Sequence, residues 1–289
     1  MKDVTQRPTK REAPINMDVD QFRNLGHDLV DRIAEFLENI HNHPVTSKLT
    51  PEEARAKSQA DKPLPDNGTD PSDLMNRTIE LLLENSLFNG HPRFWGYITS
   101  SPAPIGILAD LLASAVNPNL GGWQLSPIAT EIESQAIRWI AEFMGYPPDC
   151  GGVLTSGGNM ANFICFLAAR KAAAKHDIQS EGLKDTNLRV YASKETHTWI
   201  EKAADLFGLG TVNTRLIKTD SRQRMDIDDL KRSLNNDLEN GDIPMMVVGT
   251  AGTVSTGAID PLPQIASLCR THNIWFHIDG AYGGFAAGL

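Results

Sequence analysis

A chain of 289 residues, 40% hydrophobic and 22% charged, has the composition of a soluble globular protein and can bury the core of one large or two ordinary domains. Its formal net charge of −9, with lysines and arginines scattered among acids, argues against a nucleic-acid partner and against an anionic membrane surface, since both select basic patches. Three widely spaced cysteines, Cys150, Cys165 and Cys269, form neither a disulfide framework nor a zinc signature, so a reducing cytoplasm is expected.

Residues 1 to 16 are polar and contain Pro8 and Pro14, which predicts a loose lead-in with no signal peptide. From Asp18 onward Phe22, Leu25, Leu29, Ile33, Phe36, Leu37 and Ile40 recur at intervals of three and four, the spacing of an amphipathic helix. Residues 41 to 71 hold five prolines and predict an extended connector with one short helix after Pro51. His41 and His43 lack acidic or cysteine neighbours at ligand spacing and read as solvated, with no metal site. Asp70-Pro71 predicts the cap and first turn of a helix through Leu83. Residues 1–88 therefore read as a helical arm with too little apolar surface to fold alone, followed by one large domain over 89–289. The longest apolar stretch, Ile105 to Val116, is interrupted by Asp110, so no membrane span is expected. His91 to Ser100 and Asn119 to Trp123 mix aromatics with small and polar residues; composition alone favours core packing over a pocket lining.

From Gly151 short apolar strands alternate with longer amphipathic stretches, which predicts an α/β fold with a mostly parallel sheet and flanking helices. The expected strands are Val153 to Thr155, Arg189 to Ala192, Thr214 to Ile217, Met245 to Gly249 and Ile274 to Ile278. The expected helices run from Met160 to about Ala174, from Thr198 to Phe207, after Asp226, and from Leu262 to Cys269. No crossover helix follows the last strand.

Chemistry concentrates where such a sheet binds ligands, at the C-terminal ends of its strands. Asp279 closes the run Trp-Phe-His-Ile-Asp, and Gly280 and Ala281 behind it leave room for a flat ring. A buried acid there needs a cationic or hydrogen-bonded partner. An arginine in a structural ion pair would be the plain choice, and the protonated ring nitrogen of pyridoxal 5′-phosphate the functional one. Thr155 to Asn159 offers glycines ahead of a helix, where backbone N–H groups and the helix dipole can hold a phosphate. The same glycines would also serve an ordinary turn. His197, at the head of the next helix, could lie on a cofactor ring or merely cap that helix. Gly249 to Gly257 is a small, hydroxyl-rich turn that admits a ring or simply connects two elements.

In order, His91-Pro92-Arg93-Phe94-Trp95-Gly96-Tyr97, Gly152 through Asn159 with Ala168-Ala169-Arg170, Glu195-Thr196-His197 and His277 through Gly283 resemble the pyridoxal-phosphate-dependent group II decarboxylases of fold type I. The resemblance spans about Asp18 to Leu289. It implies that Gly158 and Asn159 hold the cofactor phosphate and that His197 stacks on the pyridine ring. Asp279 would pair with the ring nitrogen, Thr253 and Ala281 would touch the ring, and Tyr97 to Ser100 would face an amino acid substrate. The first helices resemble an arm that wraps a partner subunit, implying a homodimer. Relatives commonly carry Ala-Ser or Gly-Ser in place of Gly158-Asn159, and many carry threonine in place of Ser100.

The activity implied is decarboxylation of an L-amino acid, aromatic or similar, to an amine. The family lysine that forms an imine with the cofactor lies in a His-Lys pair after the aspartate, and the chain has no lysine after Lys231. It is therefore expected to be the N-terminal portion of an enzyme and inactive alone. A carbon–carbon lyase, an aldehyde-forming decarboxylase and a non-catalytic subunit or scaffold are the alternatives. A nicotinamide enzyme is opposed by Ser156 to Asn159, which lacks the Gly-x-Gly-x-x-Gly spacing.

Overall fold

A computed structural model describes residues 16–184 and 187–288, so the expected lead-in over residues 1 to 16 lies almost wholly outside the described residues. The chain divides into two compact units at Leu111/Leu112, and the expected boundary at 88/89 falls inside the first.

In the first unit, helix α1 (Val19–Asn39) starts where Asp18 accepts the backbone N–H groups of Asp20 and Gln21 at 2.9 and 2.8 Å. Helix α2 (Pro51–Ser58) carries a reciprocal cap between Thr50 and Glu53, and α3 (Pro71–Asn85) is capped by Asp70. Arg32 of α1 donates to Asn76 of α3 at 2.8 Å. His43 is not solvated as expected: its ring packs edge-on against Phe36 and Phe88, each at 5.4 Å between centroids. An imidazole has enough apolar edge to complete such a cluster. Among the described residues of this unit only Phe88 and His91 are buried, so its helices keep apolar side chains such as Val19, Phe22 and Val30 exposed. Helix α4 (Pro104–Val116) carries the chain past the division into the second unit.

The second unit opens with α5 (Pro127–Phe143), α6 (Gly158–Ala173) and the single turn α7 (Ile178–Glu181). Then β1 (Leu188–Ser193), α8 (Trp199–Leu206), β2 (Thr214–Ile217), α9 (Ile227–Glu239), β3 (Ile243–Thr250), α10 (Leu262–His272) and β4 (Trp275–Asp279) alternate. The four strands are all parallel, in the order β2-β1-β3-β4, with Val190 opposite both Thr214 and Met246, and Thr250 opposite Asp279. Because successive side chains alternate between faces, Leu188, Val190 and Ala192 pack with Phe166, Trp199, Ile200 and Ala203 of α6 and α8. Tyr191 and Val247 face the other way, onto Leu230, Leu234, Ile265 and Cys269 of α9 and α10. Both faces of the central strands are covered, which is why β3 reads Met-Met-Val-Val without polar alternation.

Four of the five expected strands form. Val153 to Thr155 does not: Val153 and Leu154 are exposed, and the Leu154 N–H donates to the Glu133 carboxylate at 3.3 Å rather than to a neighbouring strand. An apolar tripeptide becomes a strand only where a partner edge takes its backbone groups.

Candidate functional site

Parallel strands bring their C-terminal residues to one edge, here Ser193, Ile217, Thr250 and Asp279. Asp279 ends β4 with 6% of its surface exposed. Its Oδ2 accepts the indole Nε1–H of Trp199 at 2.8 Å and the side-chain amide of Asn162 at 3.2 Å. Its Oδ1 accepts the backbone N–H of Ala281 at 3.1 Å. The ion pairs of the described residues all lie elsewhere, so the partner the acid required is a set of neutral donors and not an arginine. Among the described residues no cationic side chain pairs with this buried carboxyl group, and a cationic N–H is the ligand group that would complete it.

The network continues inward. Asn162 Oδ1 lies 2.8 Å from Nε2 of His277, a side chain only 8% exposed whose ring meets Trp199 edge-on at 5.5 Å and 78°. Burial pulls the His277 pKa down to about 4, against the opposing charge of Asp279. The unfolded imidazole titrates near 6.5, so between pH 6.5 and 4 the unfolded chain binds more protons than the native one. Stability is then fully present above about pH 6.5, falls as pH drops toward 4 and levels off below it, with a total loss of about 3 kcal/mol from this group. Urea titrations at pH 7 and pH 4 should show His277→Gln losing about that much less than the unmodified protein over the window. Equal losses would mean that His277 is not held neutral by burial.

Helix α6 begins at Gly158 behind Gly157, whose φ of 125° suits only glycine, and no side chain caps it. The first-turn N–H groups of a helix have no partner inside it, so those of Gly158, Asn159 and Met160 face outward for an anion. The turn that feeds this helix is coil, not the strand the sequence suggested, but the helix half of the expectation stands. A Cβ on Gly158 would touch the Cβ of Ala281 at 3.4 Å, so the helix start and the turn after Asp279 are neighbours. Asn162 sits one turn along α6 from Gly158, on the same face.

His197 is exposed, and its Nδ1 accepts the backbone N–H of Trp199 at 3.3 Å. It does help cap α8, with Nδ1 as the acceptor, while the residue stays accessible. Thr253 is buried, with its hydroxyl 2.7 Å from that of Thr256 and accepting the Ala258 N–H at 3.2 Å, so the hydroxyl serves its own turn. Asp260 anchors that turn by accepting the N–H groups of Thr250 and Met225 at 2.8 and 2.7 Å, with its own pKa raised by burial. The turn also contacts the one after Asp279, since the Gly283 N–H donates to Ala251 O at 2.9 Å and a Cβ on Gly283 would stand 2.2 Å from that oxygen.

Tyr97 and Ser100 belong to the first unit, apart from the Asp279 network in sequence and in unit. Tyr97 adopts a left-handed φ of 57° and is 81% exposed, Trp95 is 92% exposed, and Ser100 is exposed. The composition-based expectation of core packing therefore does not hold for these aromatics; within their unit they find no apolar layer to enter.

Sequence reasoning passed over Asn162 and Trp199 and gave His277 no role. The available signals were a polar side chain four residues after Gly158, an indole two after His197, and an imidazole inside an apolar strand.

Comparison with known proteins matches the profile of the pyridoxal-dependent decarboxylase conserved domain to residues 51–287. The chain is 30% identical over 274 residues to the aromatic-L-amino-acid decarboxylase of Bacillus atrophaeus, covering 93% of this chain and 54% of that protein. It is 29% identical to a phenylacetaldehyde synthase of Arabidopsis thaliana, covering 93% and 56% respectively. Among solved structures, the Catharanthus roseus tryptophan decarboxylase in complex with L-tryptophan superposes with a TM-score of 0.86 at 26% identity, covering 95% of this chain and 60% of that one. The chain spans about half the length of the curated relatives it matches. Its parallel sheet between two helical layers is the fold type I arrangement of pyridoxal-phosphate enzymes. The donor set also fits that cofactor: an uncapped helix start for a phosphate, and a buried, cation-seeking carboxylate beside the turn that touches it. Because the profile covers most of the chain, including every residue of the buried network, this chain belongs to the family of pyridoxal-dependent decarboxylases.

Proposed function

We propose that these residues form the cofactor-holding part of an L-amino acid decarboxylase, and that the imine-forming lysine of the family lies outside them. The observation that carries the reading is Asp279, a buried carboxylate with three neutral donors and, among the described residues, no cationic partner. Pyridoxal phosphate, when bound, supplies an electron sink for the pair left at Cα when the substrate carboxylate departs as carbon dioxide.

The chain's own groups divide the remaining work. The N–H groups at Gly158 and Asn159 neutralise the phosphate, and Asp279 keeps a proton on the ring nitrogen. His197 offers an imidazole ring for the cofactor's face, while Thr253 and Ala281 bound the ring's edge. Tyr97 and Ser100 face the substrate. The exposed Trp95 and Tyr97, with relatives named for aromatic amino acids, support an aromatic or bulky side chain. Exposed apolar residues on α1 support a homodimer formed through residues 1–88. Three free cysteines accord with a cytoplasmic setting, and among the described residues no helix is long and apolar enough to cross a membrane.

The test is to incubate the full-length protein and pyridoxal phosphate with a panel of L-amino acids and to measure carbon dioxide and the organic product. Stoichiometric amine from an aromatic substrate is expected, and no carbon dioxide from any substrate would refute the reading. The likeness to a phenylacetaldehyde synthase favours one second reading, for which an aldehyde would replace the amine.

A further inference from the structure

We propose that Trp199 and Asn162 are positioning residues that clamp Oδ2 of Asp279, so that Oδ1 is the oxygen left to accept the cofactor's ring N–H. The inference rests on the reading of the site as a pyridoxal phosphate site and names two residues that act through Asp279 rather than on the cofactor itself.

A carboxylate oxygen offers two in-plane lone pairs. Oδ2 already accepts two donors, the Trp199 indole at 2.8 Å and the Asn162 amide at 3.2 Å, and is saturated. Oδ1 accepts one, the Ala281 N–H at 3.1 Å, and has one lone pair unused. The asymmetry is a property of this chain's side chains, present before any ligand arrives.

The clamp has a fixed polarity. An ionised carboxylate can only accept, so the Asn162 amide must turn its NH2 toward Asp279 and its oxygen toward His277. His277 must then donate from Nε2, which a neutral ring does in one tautomer alone. The pair is held from opposite sides of the chain's order: Asn162 by α6, whose first residue Gly158 meets Ala281, and His277 by β4, two positions before Asp279. Trp199 is fully buried, with its ring against His277, so its N–H has little freedom to leave Oδ2. The consequence is twofold. The carboxylate is locked in one rotamer, and its charge is shared with two fixed dipoles, which sets how strongly it holds a proton on a partner nitrogen.

A structural role for these residues would affect any ligand of the site, whereas the clamp affects only a ligand with a ring N–H. The experiment therefore compares binding of pyridoxal phosphate with binding of its 1-deaza analogue, which carries C–H in place of the ring nitrogen. Equilibrium dialysis would be run on the full-length protein and on Trp199→Phe, which keeps an aromatic ring and removes the N–H. Asn162→Ala serves as a second variant, with thermal melts confirming that each folds. Expected is a weakening of pyridoxal phosphate binding by about tenfold in each variant, with binding of the deaza analogue within twofold of the unmodified protein. Equal weakening of both ligands, or no weakening of either, would overturn the clamp while leaving the cofactor assignment intact. Failure of the unmodified protein to prefer pyridoxal phosphate over the deaza analogue would instead overturn the role of Asp279, and the clamp with it.

Discussion

Asp279→Asn in the full-length protein is expected to lower turnover at saturating cofactor by at least about a thousandfold, the scale on which removal of a preorganised electrostatic group acts. The substitution keeps the shape of the side chain and removes its charge, so under the proposed assignment the cofactor's ring nitrogen would lose the anion that keeps it protonated. It also breaks the local bonding. Three N–H groups now converge on the carboxylate, from Trp199, Asn162 and Ala281. An amide offers one oxygen and turns its own NH2 toward at least one of those donors, leaving a buried N–H unpaired at a cost of about 1–3 kcal/mol. Steady-state rates at high cofactor, with a melt on the same sample, separate the two effects. Turnover within tenfold of the unmodified protein would show that Asp279 does not govern the ring nitrogen.

Asp237→Ala is expected to destabilise the second unit by about 3 kcal/mol without touching the site. Asp237 lies on α9 with its carboxylate buried, taking the Arg215 guanidinium through Nε at 2.9 Å and Nη2 at 2.8 Å and the Tyr191 hydroxyl at 2.8 Å. Burial alone would raise the Asp237 pKa, but the bonds from Arg215 and Tyr191 outweigh it and hold the pKa below the usual carboxylate value. Truncation leaves the fully buried Tyr191 hydroxyl without its acceptor and removes the main partner of Arg215. Arg215 is about a third exposed and can turn to water, which keeps the cost at the low end for a broken buried pair. Urea denaturation measures it, with Asp237→Asn expected to lose less because its amide oxygen still accepts from Tyr191. A loss under about 1 kcal/mol in the alanine variant would show that solvent replaces the pair.

Much of the fold was legible because its signals are local. The three-and-four spacing after Asp18 marked α1, Asp70-Pro71 and Asp226 marked helix starts, and the apolar runs at 189–192, 214–217, 245–249 and 274–278 marked the four strands. The miss at Val153 to Thr155 has the same root. Three apolar residues satisfy a strand's composition, but pairing depends on an edge elsewhere, and Glu133 took the Leu154 N–H instead. The aromatics around Tyr97 were misjudged because composition reports what a side chain could pack against and not whether a layer is there.

At the site, the sequence by itself determined the edge. An acid ending an apolar strand and a histidine just after another fall at C-terminal strand ends once the sheet is parallel, because chain direction dictates it; the glycine start of α6 follows coil and is placed there by its contact with Ala281. Which groups hold Asp279 was decided only by tertiary structure. Asn162 and His277 are 115 positions apart and Trp199 and Asp279 are 80 apart. No local periodicity relates such residues; packing α6 and α8 on one face of the sheet brings them together. Burial then decides their chemistry, because a polar atom removed from water must find its partner among whatever the fold places within about 3 Å.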